Sequence, residues 1–392
     1  MNLFRIIAVI WVLFFVSEIS SAQNTKVANI DSYNKLHQNI LSISDADIKD
    51  GIVGGIVVLA GDSQNDIFLL ERGFADNKRK YPIKADTIID IASVTKVAAT
   101  VTALLVCHTQ GLIDFDAPFT KYLPQYKGNL KLVPTVRELA NHTSGFQDPP
   151  VGKRLYFDES GAKMIDNILS VCQPQFPQKE PKYACWNYIL LSLIIENVTN
   201  TPFDQFCRTQ IFQPLLMDST SLGMPVKKAA ESRLAQTIGT AKAGEISDFV
   251  AYRIYRDGFR TGNAGMFTSA RDMSKLLRCY LAKGKTPDNK EIFSEKSYAE
   301  IFPNTITTES NIIENSRNLG WVLWDNHFDK SKYGKIIFHS GWSGQTVCVD
   351  ANLGVFEIVF TTRKGDYDRA KSNRFKIVNL LEDEFAITCN KL

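Results

Sequence analysis

The sequence predicts an α/β fold of the α+β type: an antiparallel sheet assembled from N- and C-terminal segments, with flanking helices and a helical insert between them. Three observations carry this. Strand-like apolar runs lie near both ends of the chain, the middle has helical periodicity, and the strands at each end are joined by short turns, as antiparallel neighbours allow. One domain is expected over 23–392, its sheet part at about 23–90 and 280–392 and its helical part at about 91–279.

In chain order, residues 29–49 space Ile30, Tyr33, Leu36, Ile40 and Ile43 for one face of a helix. The run 54–60 reads as a buried strand, 62–66 as a turn and 67–70 as the returning strand of a hairpin. The apolar run from Ile88 to Ala92 leads into Ser93, after which Val94, Val97, Ala98, Val101, Leu104 and Leu105 mark a helix that stops at Gly111. Thr135 and Glu138 form a capping-box pattern. Residues 146–182 read as irregular, 188–198 and 202–216 as helices, and 218–260 as a loosely patterned, substrate-facing excursion. A helix through Leu281 follows, then strands over 319–324, 335–339, 346–350 and 355–362, and a closing helix over 366–386.

The chain has 392 residues, 44% hydrophobic and 22% charged, with net charge +3, a balance that gives no reason to invoke nucleic acid. Residues 1–22 read as a secretory signal: Arg5 supplies the basic region, Ile6 to Val16 the apolar one, and Ser20-Ser21-Ala22 the cleavage site. No other stretch reads as a membrane span, so the mature chain is expected to be secreted or periplasmic. Seven scattered cysteines read mostly as buried small hydrophobes; Cys172 and Cys185 flank a Pro-rich loop and could pair, with connectivity open. The five histidines lack H-x-x-x-H spacing, so no metal or cofactor is expected.

The chemistry concentrates at Ser93-Val-Thr-Lys96. Three residues apart on a helix, the serine and lysine share a face. A lysine beside a hydroxyl activates it as a nucleophile if burial removes the ammonium proton. Ser-x-x-Lys occurs also at Ser32 and Ser160, but only Ser93 lies between an apolar strand and an apolar helix. The structural alternative is a helix N-cap serine. Gly341-Trp-Ser-Gly344 misses the G-x-S-x-G elbow by one residue.

Taken in order, Ile91-Ala-Ser-Val-Thr-Lys96, 111–118, His142-Thr-Ser-Gly145, 264–272 and Gly320-Trp321 resemble successive segments of the serine β-lactamase-related hydrolases: class C β-lactamases, DD-peptidases and related esterases. The resemblance runs from about residue 50 to about 365. It implies a β-lactamase/transpeptidase-like fold and further site residues. Tyr183 matches the family tyrosine, placed to act as general base with Lys96 on Ser93. Cys185 stands where relatives carry the asparagine thought to bind a substrate amide, a task a thiol cannot perform. Asn187 is a possible substitute. His339-Ser340-Gly341 occupies the Lys-Thr-Gly position; His339 would help hold a substrate carboxylate or tune the base, and Gly341 would let substrate approach. The N–H groups of Ser93 and Trp342 would form the oxyanion hole. The resemblance makes His142 structural.

The implied function is a serine hydrolase acting through an acyl-enzyme on an amide or ester carbonyl of a β-lactam, a D-amino-acid cell-wall peptide or a small ester. The alternative is a non-catalytic penicillin-binding-like protein on the same fold, for which Cys185 is the argument.

Overall fold

The computed structural model describes residues 30–148, 160–170, 176–177, 180–225, 231–240, 242–302, 314–332 and 334–389. The signal-like leader, Cys172 and much of 146–182 lie outside the described residues.

The sheet joins the two ends of the chain as the sequence suggests. Helix α1 (Ile30–Lys49) precedes the hairpin β1 (Val53–Asp62) and β2 (Asp66–Gly73). Strand β1 then pairs antiparallel along β10 (Val355–Arg363), from Val53 opposite Arg363 to Asp62 opposite Val355. The seven-stranded order is β2-β1-β10-β9-β8-β7-β6, where β6 is Arg317–Asn318, β7 Trp321–Val322, β8 Ile336–Ser340 and β9 Gln345–Asp350. Side chains alternate across a strand. Val57 and Leu59 face the helical body, while Ile56, Val58 and Ala60 face α1 and the closing helix Tyr367–Cys389. Burial on both faces is why these strands read as near-continuous apolar runs.

The helical part begins beyond a second, three-stranded sheet that the sequence does not announce. The run entering Ser93 forms β3 (Ile89–Asp90), which pairs with β5 (Met266–Thr268), itself paired with β4 (Ser221–Leu222). After Ser93 the chain makes a π-helix over Lys96–Val101 and then α2 (Thr102–Thr109). Gly111 ends it at φ +71°, as expected of a glycine stop. By length and mean hydropathy Ala92–Thr109 would also suit a membrane, against the sequence reading; 83% of it is buried within the protein, so its apolarity belongs to the core.

Short α3 (Val136–Ala140) carries the capping box. Ser160 caps α4 (Gly161–Leu169), where a loop is expected from sequence; its Oγ accepts the Lys163 N–H, which accounts for that Ser-x-x-Lys. Then come α5 (Cys185–Thr199), α6 (Phe203–Cys207), α7 (Phe249–Arg256), α8 (Ala270–Leu281) and α9 (Glu295–Ala299); the closing helix is α10. The strand expected over 319–324 pairs only at Trp321–Val322. Positive φ at Leu319 (+40°) and Gly320 (+82°) turns the chain between β6 and β7. A Cβ at Gly320 would lie 2.0 Å from the Tyr188 hydroxyl, so glycine is required there.

Candidate active site

Ser93 stands at an elbow. Ala92, just before it, holds φ +44°, a conformation that costs a non-glycine residue about 1–2 kcal/mol. The Asp90 carboxylate holds the bend: Oδ1 accepts from Ala92 N at 3.0 Å, and Oδ2 accepts from the backbone N and hydroxyl of Ser247. The Asp90 carbonyl accepts from Ser343 Oγ at 3.1 Å, tying the elbow to the turn after β8. Burial pushes the Asp90 carboxyl up to about 6, partly offset by these donors. Sequence reasoning missed Asp90, although a lone acid inside an apolar strand is a readable signal.

The structure brings Ser93, Lys96 and Tyr183 together. Tyr183 donates its hydroxyl to Ser93 Oγ at 2.7 Å, and Lys96 Nζ donates to the same oxygen at 3.2 Å. Lys96 is fully buried; its Nζ also donates to Asn263 O at 2.8 Å, lies 3.7 Å from Cys185 Sγ and sits 4.9 Å from the Tyr183 ring centroid. Ser93 therefore uses its hydroxyl here and makes no helix cap.

The electrostatics differ from the sequence expectation. Burial does disfavour the Lys96 ammonium, but the ionisable Cys185, Tyr183 and Asp248 around it outweigh burial, and its pKa lies above the ordinary lysine value. Tyr183 lines the cleft and exposes 44% of its surface. Burial raises the phenol more than Lys96 lowers it. Tyr183 and Lys96 both donate to Ser93.

Helix α5 delivers Tyr183 and Cys185 at its start. Asp148 accepts from the N–H groups of Cys185 (2.7 Å) and Trp186 (3.1 Å), a cap supplied from far away in sequence and so invisible as a local motif. Cys185 is a free thiol whose pKa burial pushes up to about 12. Asn187 does not substitute for it. It is fully buried, accepts from Ser144 Oγ at 2.8 Å and donates toward His142 Nδ1 at 3.3 Å. His142 also accepts from Ala184 N at 3.2 Å, and its ring lies 4.4 Å from that of Tyr183, so it supports the tyrosine as expected of a structural residue.

A cleft of about 480 Å³ opens over Ser93, lined also by Tyr183, Arg317, His339, Ser340 and Trp342. His339 is 2% exposed, and its Nδ1 lies 3.1 Å from Ser340 O. Burial, then the charges of Arg317 and Lys96, hold its pKa well below the usual histidine value, so it is a neutral imidazole. Gly341 serves packing: a Cβ there would lie 2.5 Å from Ile91 O, so glycine lets the strand end meet the elbow. Among the described residues of 218–260 none lines the cleft. Ser247 holds Asp90 from behind, and Gly239 packs against the Trp342 ring.

A sequence-family model described as Beta-lactamase matches residues 39–382. The chain is 27% identical over 356 residues to N-acetylmuramyl-L-alanine amidase of Bacillus subtilis, covering 79% of this chain and 78% of that one. Among solved structures it resembles EstCE1, a hydrolase with promiscuous acyltransferase activity (TM-score 0.72, 18% identity, 89% of this chain and 100% of that one). It also resembles a class C β-lactamase from Rhodobacter sphaeroides (TM-score 0.68, 16% identity, 87% and 99%).

Proposed function

The chain belongs to the β-lactamase family, and on that premise we propose that it is a serine hydrolase working through an acyl-enzyme, with Ser93 as nucleophile. The observation that carries this is the convergence of Tyr183 and Lys96 on one serine oxygen at the floor of an open cleft. Attack on a carbonyl requires the Tyr183–Lys96 pair to release a proton, after which the phenolate, held by the adjacent ammonium, takes the Ser93 proton. The Ser93 and Trp342 N–H groups, which make no hydrogen bond among the described residues, receive the oxyanion. Water activated by the same base releases the acid.

The substrate class follows from what faces the acyl group. Cys185 offers one weak donor where an amide needs a donor–acceptor pair, and Asn187 is committed elsewhere. This favours esters over amides and β-lactams. The leader-like residues 1–22 support export of the mature chain. The test is hydrolysis of p-nitrophenyl acetate and nitrocefin by residues 23–392 beside Ser93→Ala. Ser93-dependent ester turnover with little nitrocefin turnover is expected; turnover of both restores a β-lactamase. If neither is cleaved, the enzyme reading fails.

A further inference from the structure

The two residues that lead into α7, Ser247 and Asp248, reach both members of the Ser93–Lys96 pair, although neither lines the cleft. Ser247 serves the nucleophile. Its N–H and its hydroxyl both donate to Asp90 Oδ2, while Asp90 Oδ1 accepts from Ala92 N. Ala92 is the strained residue of the elbow, and the next N–H in the chain is that of Ser93. A carboxylate free to turn would not keep Ala92 at positive φ. Two donors on its second oxygen fix its rotation.

Asp248 serves the lysine. Lys96 Nζ donates to Asn263 O at 2.8 Å, so the place of the ammonium depends on where that carbonyl stands. The loop before β5 is tied to the nucleophile helix on either side of it. Thr100 Oγ1 donates to Gly262 O at 2.8 Å, and Met266 N donates to Thr95 Oγ1 at 3.1 Å. Between these ties the Asn263 side chain is fully buried beside the Cys185 sulfur. Its Nδ2 donates to Asp248 Oδ1 at 3.3 Å, and its Oδ1 has no partner among the described residues. Without Asp248 neither end of this buried amide keeps an oxygen partner among them, a loss that favours movement of the loop. The same Asp248 oxygen caps α7 by accepting from Ala251 N at 2.8 Å.

We propose that Ser247 and Asp248 are positioning residues for the reaction: Ser247 fixes the Ser93 elbow through Asp90, and Asp248 fixes, through Asn263, the carbonyl that holds Lys96. Both then act on rate and not on substrate binding. In Ser247→Ala, kcat for p-nitrophenyl butyrate should fall about tenfold, with KM within about threefold of the wild type. Added to Asp90→Asn, the same substitution should cost less than about twofold more, because the hydroxyl works through Asp90; losses that multiply contradict the relay. Asp248→Ser keeps an oxygen to cap α7 but is too short to meet Asn263, whereas Asp248→Asn keeps both contacts. The serine variant should lose about tenfold in kcat, and the asparagine variant should stay near the wild type. Equal kcat in the two overturns the part given to Asp248, since a helix cap alone is served by either. Asn263→Leu breaks the same contact from its other end and leaves the cap untouched. It should match the serine variant, and wild-type kcat there overturns the proposal even if Asp248→Ser does not fold. The proposal rests on the hydrolase reading, and the two fail in different ways. Ser93-dependent turnover that is unchanged in Ser247→Ala and Asn263→Leu removes the positioning role alone. Absence of turnover in the wild type removes the hydrolase reading and the positioning role with it.

Discussion

The two faces of the sheet bury charge in opposite ways. On the cleft side, the Lys96 ammonium is enclosed by an oxygen or sulfur partner on each side: Ser93 Oγ, Asn263 O and Cys185 Sγ. On the outer side, under α10, Glu357 and Glu382 are buried against one another, and Arg374 is buried separately beside Thr346. Both Nη atoms of Arg374 have no hydrogen-bond partner among the described residues, and the Glu357 carboxyl is met only by that of Glu382. A buried charge with a full set of partners is a chemical tool. One without them disfavours its own ionised form and weakens the fold.

The largest effect expected of this contrast lies in the cleft. Lys96→Ala should lower kcat for a small ester by about 10³–10⁴-fold, the upper range for a positioned proton-transfer group, with KM less affected. A loss under tenfold would dissolve the difference between the two faces. Tyr183→Phe should cost about 10²–10³-fold with the fold intact by circular dichroism. Because the resting phenol and ammonium both lie above their ordinary pKa values, kcat/KM should climb with pH from neutrality into the alkaline range. A profile flat across that range would contradict their assignment.

On the outer face, burial and then the neighbouring Glu382 hold the Glu357 carboxyl well above the usual range, and Glu382 itself is raised to about 7, chiefly by burial. An acid held up in the folded state binds its proton more tightly there than when unfolded. Stability is therefore lost as pH rises from about 4.5 through about 7. Glu357→Leu should stabilise the protein at pH 8 by about 1–4 kcal/mol and by less at pH 5, read by denaturant unfolding. The smallest change concerns substrate range: Cys185→Asn should raise the ratio of nitrocefin to ester turnover by about tenfold, roughly one added hydrogen bond.

Legibility in the sequence followed locality. The glycine stop at Gly111, the Thr135–Glu138 cap and the Ser93–Lys96 spacing are short-range patterns, and all three are found in the structure. Closure of the sheet through β1 and β10 was legible as two apolar ends, because both strands are buried on both faces. What was hidden depends on groups distant in sequence. Asp148 caps α5 from 37 residues away, and the partners that set the Lys96 pKa come from two separate segments. The left-handed Ala92 has no sequence signal, since nothing in Ile91-Ala92-Ser93 demands a positive φ.

The most direct test of the central claim is covalent labelling of the mature chain with a fluorophosphonate, located by peptide mass spectrometry. The account predicts a single adduct on Ser93, absent in Ser93→Ala and formed more slowly in Tyr183→Phe. Labelling elsewhere that persists in Ser93→Ala, or no adduct in the wild type, would contradict it.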